Sequence, residues 1–183
     1  MISKDIGKTM TQNVAVIGAG YWGKNLVRNF HGLNALGAIC DSDPERLESF
    51  KQQYPLAKMF NAYSDVLNDA TIRAVAIATP AEAHADAVRE ALLAGKDVFV
   101  EKPLCLSVEE GEGLVALAKQ KNRILMVGHL LWYHPAVLKL KELIAAGELG
   151  KIQYIYSNRL NLGKIRREEN ILWSFAPHDI SVI

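Results

Sequence analysis

The stretch V-A-V-I-G-A-G-Y-W-G at residues 14–23 decides the fold of this 183-residue chain. Its first four residues are apolar and of strand length, and the loop after them opens a segment in which Leu26, Val27 and Phe30 have helical spacing. A strand, a G-x-G-x-x-G loop and a helix in this order are the fingerprint of a dinucleotide-binding βαβ unit. The sequence therefore predicts that a dinucleotide binds where this strand ends.

Each glycine of the loop has a steric reason to be there. We expect Gly18 to allow a tight turn, Gly20 to leave room for a pyrophosphate, and Gly23 to let the helix pack closely on the strand. The phosphates would then meet the N–H groups and the positive end of the helix. Tyr21 and Trp22 belong to the same loop and are predicted to bind the cofactor with the three glycines.

Asp41 stands 23 positions after Gly18, at the end of the second predicted strand. A carboxylate there can accept hydrogen bonds from both adenosine ribose hydroxyls and would repel a 2′-phosphate, which favours NAD over NADP. Lys51 or Arg46 could still reach a phosphate if the loop bends. The alternative role of Asp41 is to cap a turn before Asp43.

Short apolar runs alternate with segments of helical period from residue 14 onward, which is typical of parallel strands joined by crossover helices. The pattern predicts an α/β fold with a doubly wound parallel Rossmann sheet, strand order 3-2-1-4-5-6, and ligands at the carboxyl ends of the strands. The predicted strands are Val14–Ile17, Ala35–Cys40, Lys58–Phe60, Ala74–Ala78, Val98–Val100 and Ile124–Val127.

Helix starts are predicted where an oxygen-bearing side chain can satisfy the N–H groups of a first turn, or where proline occupies that turn. These signals are Asp43-Pro44, Thr79-Pro80 with Glu82, and Ser107 with Glu110. A helix over 81–94 is expected to end at Gly95. Its predicted buried face consists of Ala83, Ala87, Val88, Ala91 and Leu92.

We expect two domains, a Rossmann domain over residues 1–128 and the start of a truncated α+β substrate and oligomerisation domain over 129–183. The second part carries a predicted helix at Pro135–Ala146, a predicted strand at Ile152–Leu160 and a helix from Trp173 onward. These pieces cannot enclose a core, so the domain is predicted to be incomplete. Either the chain is a fragment of a longer enzyme, or its tail packs on the Rossmann domain or on a partner.

Composition excludes several classes of partner. The net charge is +1 without a polybasic stripe, so neither nucleic acid nor a membrane surface is expected to bind. Cys40 and Cys105 are too few for a disulfide framework or a structural zinc site, and no metal is expected. Residues 1–13 lack the apolar run of a signal peptide and no stretch could span a bilayer, so a cytoplasmic location is expected.

An ionisable pair, Glu101 and Lys102, follows the fifth predicted strand at the edge where a cofactor would lie. A lysine beside an open cofactor site can lower the pKa of a substrate hydroxyl and shuttle its proton. Pro103 constrains the backbone next to it. Taken alone, such a lysine is more often a solvated surface residue, and that alternative stays open.

Taken together, the motifs resemble the family of glucose-fructose oxidoreductases, inositol dehydrogenases and MocA proteins. The resemblance is carried by Gly18-Ala19-Gly20 with Gly23, Ala78-Thr79-Pro80 with His84, Glu101-Lys102-Pro103, and His178-Asp179-Ile180. It implies that Lys102 is catalytic, that the Lys102–Pro103 bond is cis, and that the protein is a homo-oligomer. The residues that it places on the nicotinamide side are Thr79, Pro80, His84 and Glu101.

His178 matches the catalytic histidine of that family, which sits at the start of a helix and acts on the hydroxyl being oxidised. Without the resemblance, a histidine between Pro177 and Asp179 is more often a helix cap than a base. Many family members carry aspartate four positions earlier, where this chain has Ser174. The predicted catalytic pair is therefore Lys102 and His178, without a third relay residue.

A narrower resemblance, in residues 156–163 and 172–179, is to bacterial enzymes that oxidise the 3-hydroxyl of UDP-N-acetylglucosamine or its uronic acid. In that group an aminotransferase uses the 3-keto product for lipid A or surface-polysaccharide synthesis. Basic side chains near these stretches could grip a phosphate or carboxylate. The residues predicted to bind substrate are Arg159, Asn161, Lys164 and Arg166. A solvated loop with Glu168 and Glu169 as counter-charges is the alternative.

The sequence thus predicts an NAD-dependent sugar dehydrogenase in which His178, helped by Lys102, removes the hydroxyl proton as hydride moves to the nicotinamide. An inositol or free-sugar dehydrogenase and a non-catalytic NAD-binding module are the alternatives. Because the second domain is predicted to be incomplete, we expect this chain to bind NAD but to turn over weakly unless another chain completes it.

Overall fold

The structure of the chain is a computed structural model, which describes residues 12–158, 160 and 171–183. The described residues fall into two compact units, one that ends at Val127 and one that begins at Gly128. None of the helices in this described part is long and apolar enough to cross a membrane.

A six-stranded parallel sheet forms the first unit, in the order β3-β2-β1-β4-β5-β6. This confirms the predicted α/β class and the predicted strand order. Each strand begins and ends within one residue of its prediction. The strands are β1 Val14–Ile17, β2 Leu36–Cys40, β3 Lys58–Phe60, β4 Ala74–Ile77, β5 Asp97–Val100 and β6 Leu125–Val127.

The core lies on both faces of this sheet, because helices cover each side. Successive residues of a strand point to opposite faces, so Val16 of β1 packs in one apolar cluster and Ile17 in the other. Ile39 and Cys40 of β2 divide between the two clusters in the same way. Strands buried on both faces read as the continuous apolar runs that identified them in the sequence.

Seven α-helices occur in the described residues: α1 Gly23–Gly32, α2 Pro44–Gln53, α3 Tyr63–Asn68, α4 His84–Leu93, α5 Val108–Lys121, α6 Pro135–Ala145 and α7 Ile171–Ile180. Two predicted starts are confirmed by their caps. The Asp43 carboxylate accepts hydrogen bonds from the backbone N–H groups of Glu45 and Arg46 at 3.0 and 3.2 Å. The Ser107 hydroxyl accepts one from Glu110 at 3.3 Å.

The segment after Thr79-Pro80 differs from its prediction in one turn. A 3₁₀ turn at Ala81–Ala83 precedes α4, and no side chain caps either helix start. Ala83 is exposed in this turn, whereas the predicted buried face included it. The reason is that a 3₁₀ turn has three residues per turn, so the spacing of the α-helix face begins only at His84. Gly95, with φ +73°, ends the helix as predicted.

The second unit contains a 3₁₀ turn at Leu130–Tyr133 followed by α6 and α7. Helix α6 confirms the predicted helix within one residue. The predicted strand at Ile152–Leu160 is wrong for residues 152–158 and 160, which belong to no sheet. An apolar run becomes a strand only by pairing with another strand, and none pairs with it among the described residues.

Candidate cofactor and catalytic site

The carboxyl ends of four neighbouring strands bring the predicted site residues to one edge of the sheet. Gly18, Asp41, Ala78 and Glu101 directly follow β1, β2, β4 and β5. Each donates its backbone N–H to a carbonyl of an adjacent strand, at 2.8 to 3.1 Å. The ladder of the sheet therefore extends one residue past the strands and fixes the backbone on which the site is built.

The glycine loop leaves no room for side chains at two of its three glycines. Gly18 has φ +82°, and a Cβ there would lie 3.0 Å from the Ala78 backbone. A Cβ on Gly23 would overlap the Gly18 carbonyl oxygen. A Cβ on Gly20, by contrast, would meet nothing within 4 Å. The protein itself does not require glycine at position 20, so the open space beside Gly20 suits a ligand.

Asp41 holds the glycine loop to the start of α2. Its carboxylate accepts hydrogen bonds from Ala19 N at 2.7 Å, from Asp43 N at 3.0 Å and from Arg46 Nη1 at 2.7 Å. Burial alone would raise the pKa of Asp41, but the Arg46 and backbone hydrogen bonds outweigh it and lower the pKa. Asp41 therefore does cap the turn before Asp43, which is the alternative role, and its contact with the adenosine ribose stays a prediction.

Arg46 is engaged by carboxylates, since its guanidinium lies 2.7 Å from Asp41 and 3.1 Å from Asp43. A 2′-phosphate would have to compete with both acids for it. This arrangement is consistent with the preference for NAD that the position of Asp41 predicts.

Glu101 is buried, with 8% of its surface exposed, and is bound by a residue of the glycine loop. The Trp22 indole Nε1–H donates a hydrogen bond to its Oε1 at 2.6 Å. Burial raises the pKa of Glu101, and the Trp22 hydrogen bond, the Lys102 backbone N–H and the charges of Lys102 and His84 oppose that rise. Sequence reasoning placed Trp22 and Glu101 at the site but missed this bond.

His84 is 1% exposed, and both of its ring nitrogens face protein carbonyls. Nδ1 lies 2.6 Å from the Pro103 oxygen and Nε2 lies 2.9 Å from the Thr79 oxygen. A neutral imidazole donates to one of the two, and a doubly protonated ring donates to both. His84 therefore links the backbone that follows β4, at Thr79, to the backbone that follows β5, at Pro103. A contact with the nicotinamide, which the resemblance implies, stays a prediction.

Lys102 is partly exposed between these two anchored neighbours, and the Lys102–Pro103 peptide bond is cis, as the resemblance implies. Beside it, the Thr79 hydroxyl is buried without a hydrogen-bond partner among the described residues. Pro80 is exposed. A buried hydroxyl without a partner is costly, and a bound ligand would satisfy it.

The residues present fit a dinucleotide. Gly20, where a Cβ would meet nothing within 4 Å, lies three residues before the start of α1, and the positive end of a helix dipole favours phosphate. The Thr79 hydroxyl and the Asp41 carboxylate are polar groups at the same strand edge. Tyr21 extends this surface, with the Lys24 ammonium 5.4 Å from the centre of its ring.

His178 lies in the second unit, in the last turn of α7. The expected position at a helix start is wrong, because α7 begins at Ile171 and runs through Pro177. Proline suits a first turn but can occupy a later one if the structure tolerates the loss of one backbone donor. The Ser181 hydroxyl donates to the His178 carbonyl at 3.0 Å.

The predicted substrate residues Arg159, Asn161, Lys164 and Arg166 lie outside the described residues and stay predictions. Within the described part of the chain, no group of three or more His, Cys, Asp or Glu side chains could hold a metal ion.

Comparison with known proteins assigns the first unit to a family. Residues 12–129 match the model of an oxidoreductase family with an NAD-binding Rossmann fold. The chain belongs to the Gfo/Idh/MocA family. The family description identifies the first unit as an NAD-binding Rossmann domain, so the cofactor is NAD.

Several curated Gfo/Idh/MocA relatives are similar over most of the chain. Inositol 2-dehydrogenase of Salmonella typhimurium is 29% identical over 95% of this chain and 54% of its own length. The scyllo-inositol 2-dehydrogenase (NAD(+)) of Bacillus subtilis is 37% identical over 76% and 42%. UDP-N-acetylglucosamine 3-dehydrogenase of Acidithiobacillus ferrooxidans is 27% identical over 91% and 51%. The chain thus spans about half the length of the curated relatives it matches.

Two solved structures show the same similarity. Oxidoreductase yvaA of Bacillus subtilis superposes with a TM-score of 0.83 at 28% identity, covering 94% of this chain and 52% of that one. Scyllo-inositol dehydrogenase of Lactobacillus casei, with bound NAD(H) and scyllo-inositol, has a TM-score of 0.72 at 28% identity, covering 76% and 42%.

We predict that Gly20→Ala and Gly23→Ala separate binding from folding. A Cβ at Gly20 meets no protein atom, so the melting temperature should hold while NAD affinity falls about tenfold or more, since the methyl group enters the pyrophosphate space. A Cβ at Gly23 overlaps protein backbone, so unfolding free energy should fall by about 1–3 kcal/mol. Thermal melting and NAD titration measure both quantities. Gly32→Ala, which also has open space, is the control, and equal melting losses at Gly20 and Gly23 would contradict the assignment.

A second prediction concerns acid stability. Because folding lowers the pKa of Asp41, its stabilising contribution is present above its unfolded pKa of about 3.9 and is lost as the pH falls through the lower folded value. Asp41→Asn should cost about 1–3 kcal/mol of unfolding free energy at neutral pH and less below about pH 4. Urea denaturation at several pH values measures this. Glu48→Gln, an exposed change on α2, should have little effect, and a cost for Asp41→Asn that does not shrink in acid would exclude the mechanism.

Proposed function

We propose that this chain supplies the cofactor-binding half of an NAD-dependent dehydrogenase that oxidises a secondary hydroxyl of a sugar or polyol. The observation that carries the proposal is the position of Glu101-Lys102-Pro103. It directly follows β5 at the edge that bears the glycine loop, and the 2.6 Å hydrogen bond from Trp22 joins the two. Membership of an oxidoreductase family whose relatives include dehydrogenases supports it.

The chemistry divides between cofactor and protein. NAD, when bound, accepts the hydride from the carbon that bears the hydroxyl. Lys102 Nζ stabilises the oxygen of that hydroxyl as its proton leaves, and a ring nitrogen of His178 takes the proton. Asp41 and the glycine loop bind and orient the cofactor, with Thr79, Pro80 and Glu101 on its nicotinamide side.

For the substrate we propose a UDP-N-acetylhexosamine or its uronic acid, oxidised at C3. Support comes from the resemblance in residues 156–163 and 172–179 and from the UDP-N-acetylglucosamine 3-dehydrogenase among the relatives. Arg159, Asn161, Lys164 and Arg166 would then contact the charged substrate. The 3-keto product would suit an aminotransferase in lipid A or surface-polysaccharide synthesis.

The second candidate is an inositol dehydrogenase, favoured by the inositol-oxidising relatives at 29% and 37% identity. An inositol is uncharged and needs no basic cluster. The two candidates share the same cofactor and the same oxidation step, so only substrate binding distinguishes them.

We predict that Lys102→Ala lowers turnover about 10²- to 10⁴-fold, because a positioned group that promotes proton loss from the hydroxyl contributes about that much, while NAD affinity changes less than about threefold. NADH formation and NAD titration measure the two effects. Lys121→Ala, an exposed change at the end of α5, is the control and should alter neither. Unchanged turnover in Lys102→Ala would exclude the assigned role.

The two candidate substrate classes predict different shifts in melting temperature. With NAD present, UDP should raise the melting temperature, since a ligand at about 100 times its Kd adds about 2.7 kcal/mol to the unfolding free energy. Myo-inositol should leave it unchanged. A shift with myo-inositol and none with UDP would favour the polyol as substrate over the sugar nucleotide. Arg166→Ala tests the predicted basic substrate residues, because it should weaken the shift that UDP causes and no other.

A further inference from the structure

The backbone on both sides of Lys102 is anchored, and each anchor comes from a different part of the chain. On one side, Glu101 donates its backbone N–H to Ile77 and accepts the Trp22 hydrogen bond on its carboxylate. On the other side, the Pro103 carbonyl lies 2.6 Å from the His84 ring. The position from which the Lys102 side chain extends is thus fixed by groups outside its own loop.

Trp22 is an unusual residue for such an anchor, because 42% of its surface is exposed. It stands at the N-terminal boundary of α1, in the loop that binds the pyrophosphate, and 79 positions before Glu101. A large exposed apolar ring contributes little by burial. Its specific contribution is the indole N–H, which reaches a buried carboxylate, and a hydrogen bond to a charged group is stronger than one between neutral groups.

We infer that Trp22 is a positioning residue for Lys102: its indole N–H holds the Glu101 carboxylate at the start of the Glu101-Lys102-Pro103 turn and so links the glycine loop to the lysine. The inference rests on the proposed function, in which Lys102 stabilises the substrate oxygen that loses its proton.

The charge of Glu101 is the quantity that this bond controls. Burial raises the pKa of Glu101, and the Trp22 hydrogen bond is the largest of the effects that oppose the rise. The other groups whose charge acts on Glu101 are Lys102, next in the chain, and His84, the first residue of α4. Loss of the indole N–H would therefore raise the pKa of Glu101 further. As the pH falls, Glu101 would then become protonated and lose its negative charge at a higher pH than in the wild type.

The first test reads the bond without activity or cofactor. In the ¹⁵N-labelled chain, which has three tryptophans, Trp22→Phe identifies the Trp22 indole N–H resonance. That resonance should titrate with Glu101, at a midpoint above that of an ordinary carboxyl, and should cease to titrate in Glu101→Gln. Trp132→Phe, which also removes an exposed indole, should leave the titration unchanged. A Trp22 indole signal that does not titrate, or that still titrates in Glu101→Gln, would overturn the inference.

The second test reads the consequence for Lys102. At saturating NAD, Trp22→Phe should lower kcat about tenfold at neutral pH and move the acid limb of the kcat/KM profile to higher pH. In the Glu101→Ala background the same substitution should change kcat less than about twofold, because the side chain that accepts the indole hydrogen bond is gone. The inference would be overturned if the acid limb did not move, or if Trp22→Phe lowered kcat equally in the wild-type and Glu101-variant backgrounds. Either result would show that Trp22 affects only the shape of the glycine loop.

Failure of the proposed function has a different signature, which is the absence of NAD binding by the wild type. If the wild type binds NAD but oxidises neither candidate substrate, the ¹³C signal of methylated Lys102, assigned with Lys102→Ala, replaces kcat as the readout. That signal should move in Trp22→Phe and stay in place in Trp132→Phe. A Lys102 signal indifferent to Trp22→Phe would overturn the inference whatever the activity.

Discussion

The close approach of helix α1 to strand β1 is the constraint on which the site depends. Because Gly23 has no Cβ, its Cα can lie against the Gly18 carbonyl, and α1 begins directly beyond the end of β1. The positive end of the helix then faces the edge where four strands end. The residue before the helix, Trp22, is carried by the same turn to Glu101. The absence of a side chain at Gly23 thus shapes both the predicted phosphate site and the contact between two distant motifs.

Asp41 and Glu101 occupy equivalent positions directly after β2 and β5, which β1 and β4 separate in the sheet, yet their pKa values move in opposite directions. Asp41 is held by two backbone N–H groups and a guanidinium, and these donors lower its pKa despite burial. Glu101 has fewer donors, so burial prevails and its pKa rises. A carboxylate with a lowered pKa is a fixed structural charge, whereas one with a raised pKa responds to its surroundings. The edge of the sheet therefore combines Asp41, whose charge is fixed by its donors, with Glu101, whose charge responds to its surroundings beside the proposed catalytic lysine.

Features set by a few consecutive residues could be predicted from the sequence. The glycine loop, the Asp43 and Ser107 caps and the alternating apolar runs each depend on residues within one turn or strand. The contacts of Trp22 with Glu101 and of His84 with Pro103 join residues 79 and 19 positions apart, and one sequence does not show which distant residues pair. The predicted strand after residue 151 failed for a related reason, since strand formation depends on a partner rather than on the apolar run itself.

The anchors around Lys102 also explain why lysine suits this position. Its four-carbon side chain has several rotatable bonds, so the ammonium reaches a defined point only if the side chain starts from a defined place. Here the structure fixes that starting place, through Trp22 on Glu101 and His84 on Pro103. The proposed role of Lys102 is to stabilise a single oxygen as its proton leaves. A lysine ammonium is a compact point charge that suits one oxygen, whereas the planar guanidinium of arginine suits the two oxygens of a carboxylate or phosphate. The geometry of the backbone and the chemistry of the side chain therefore favour the same residue.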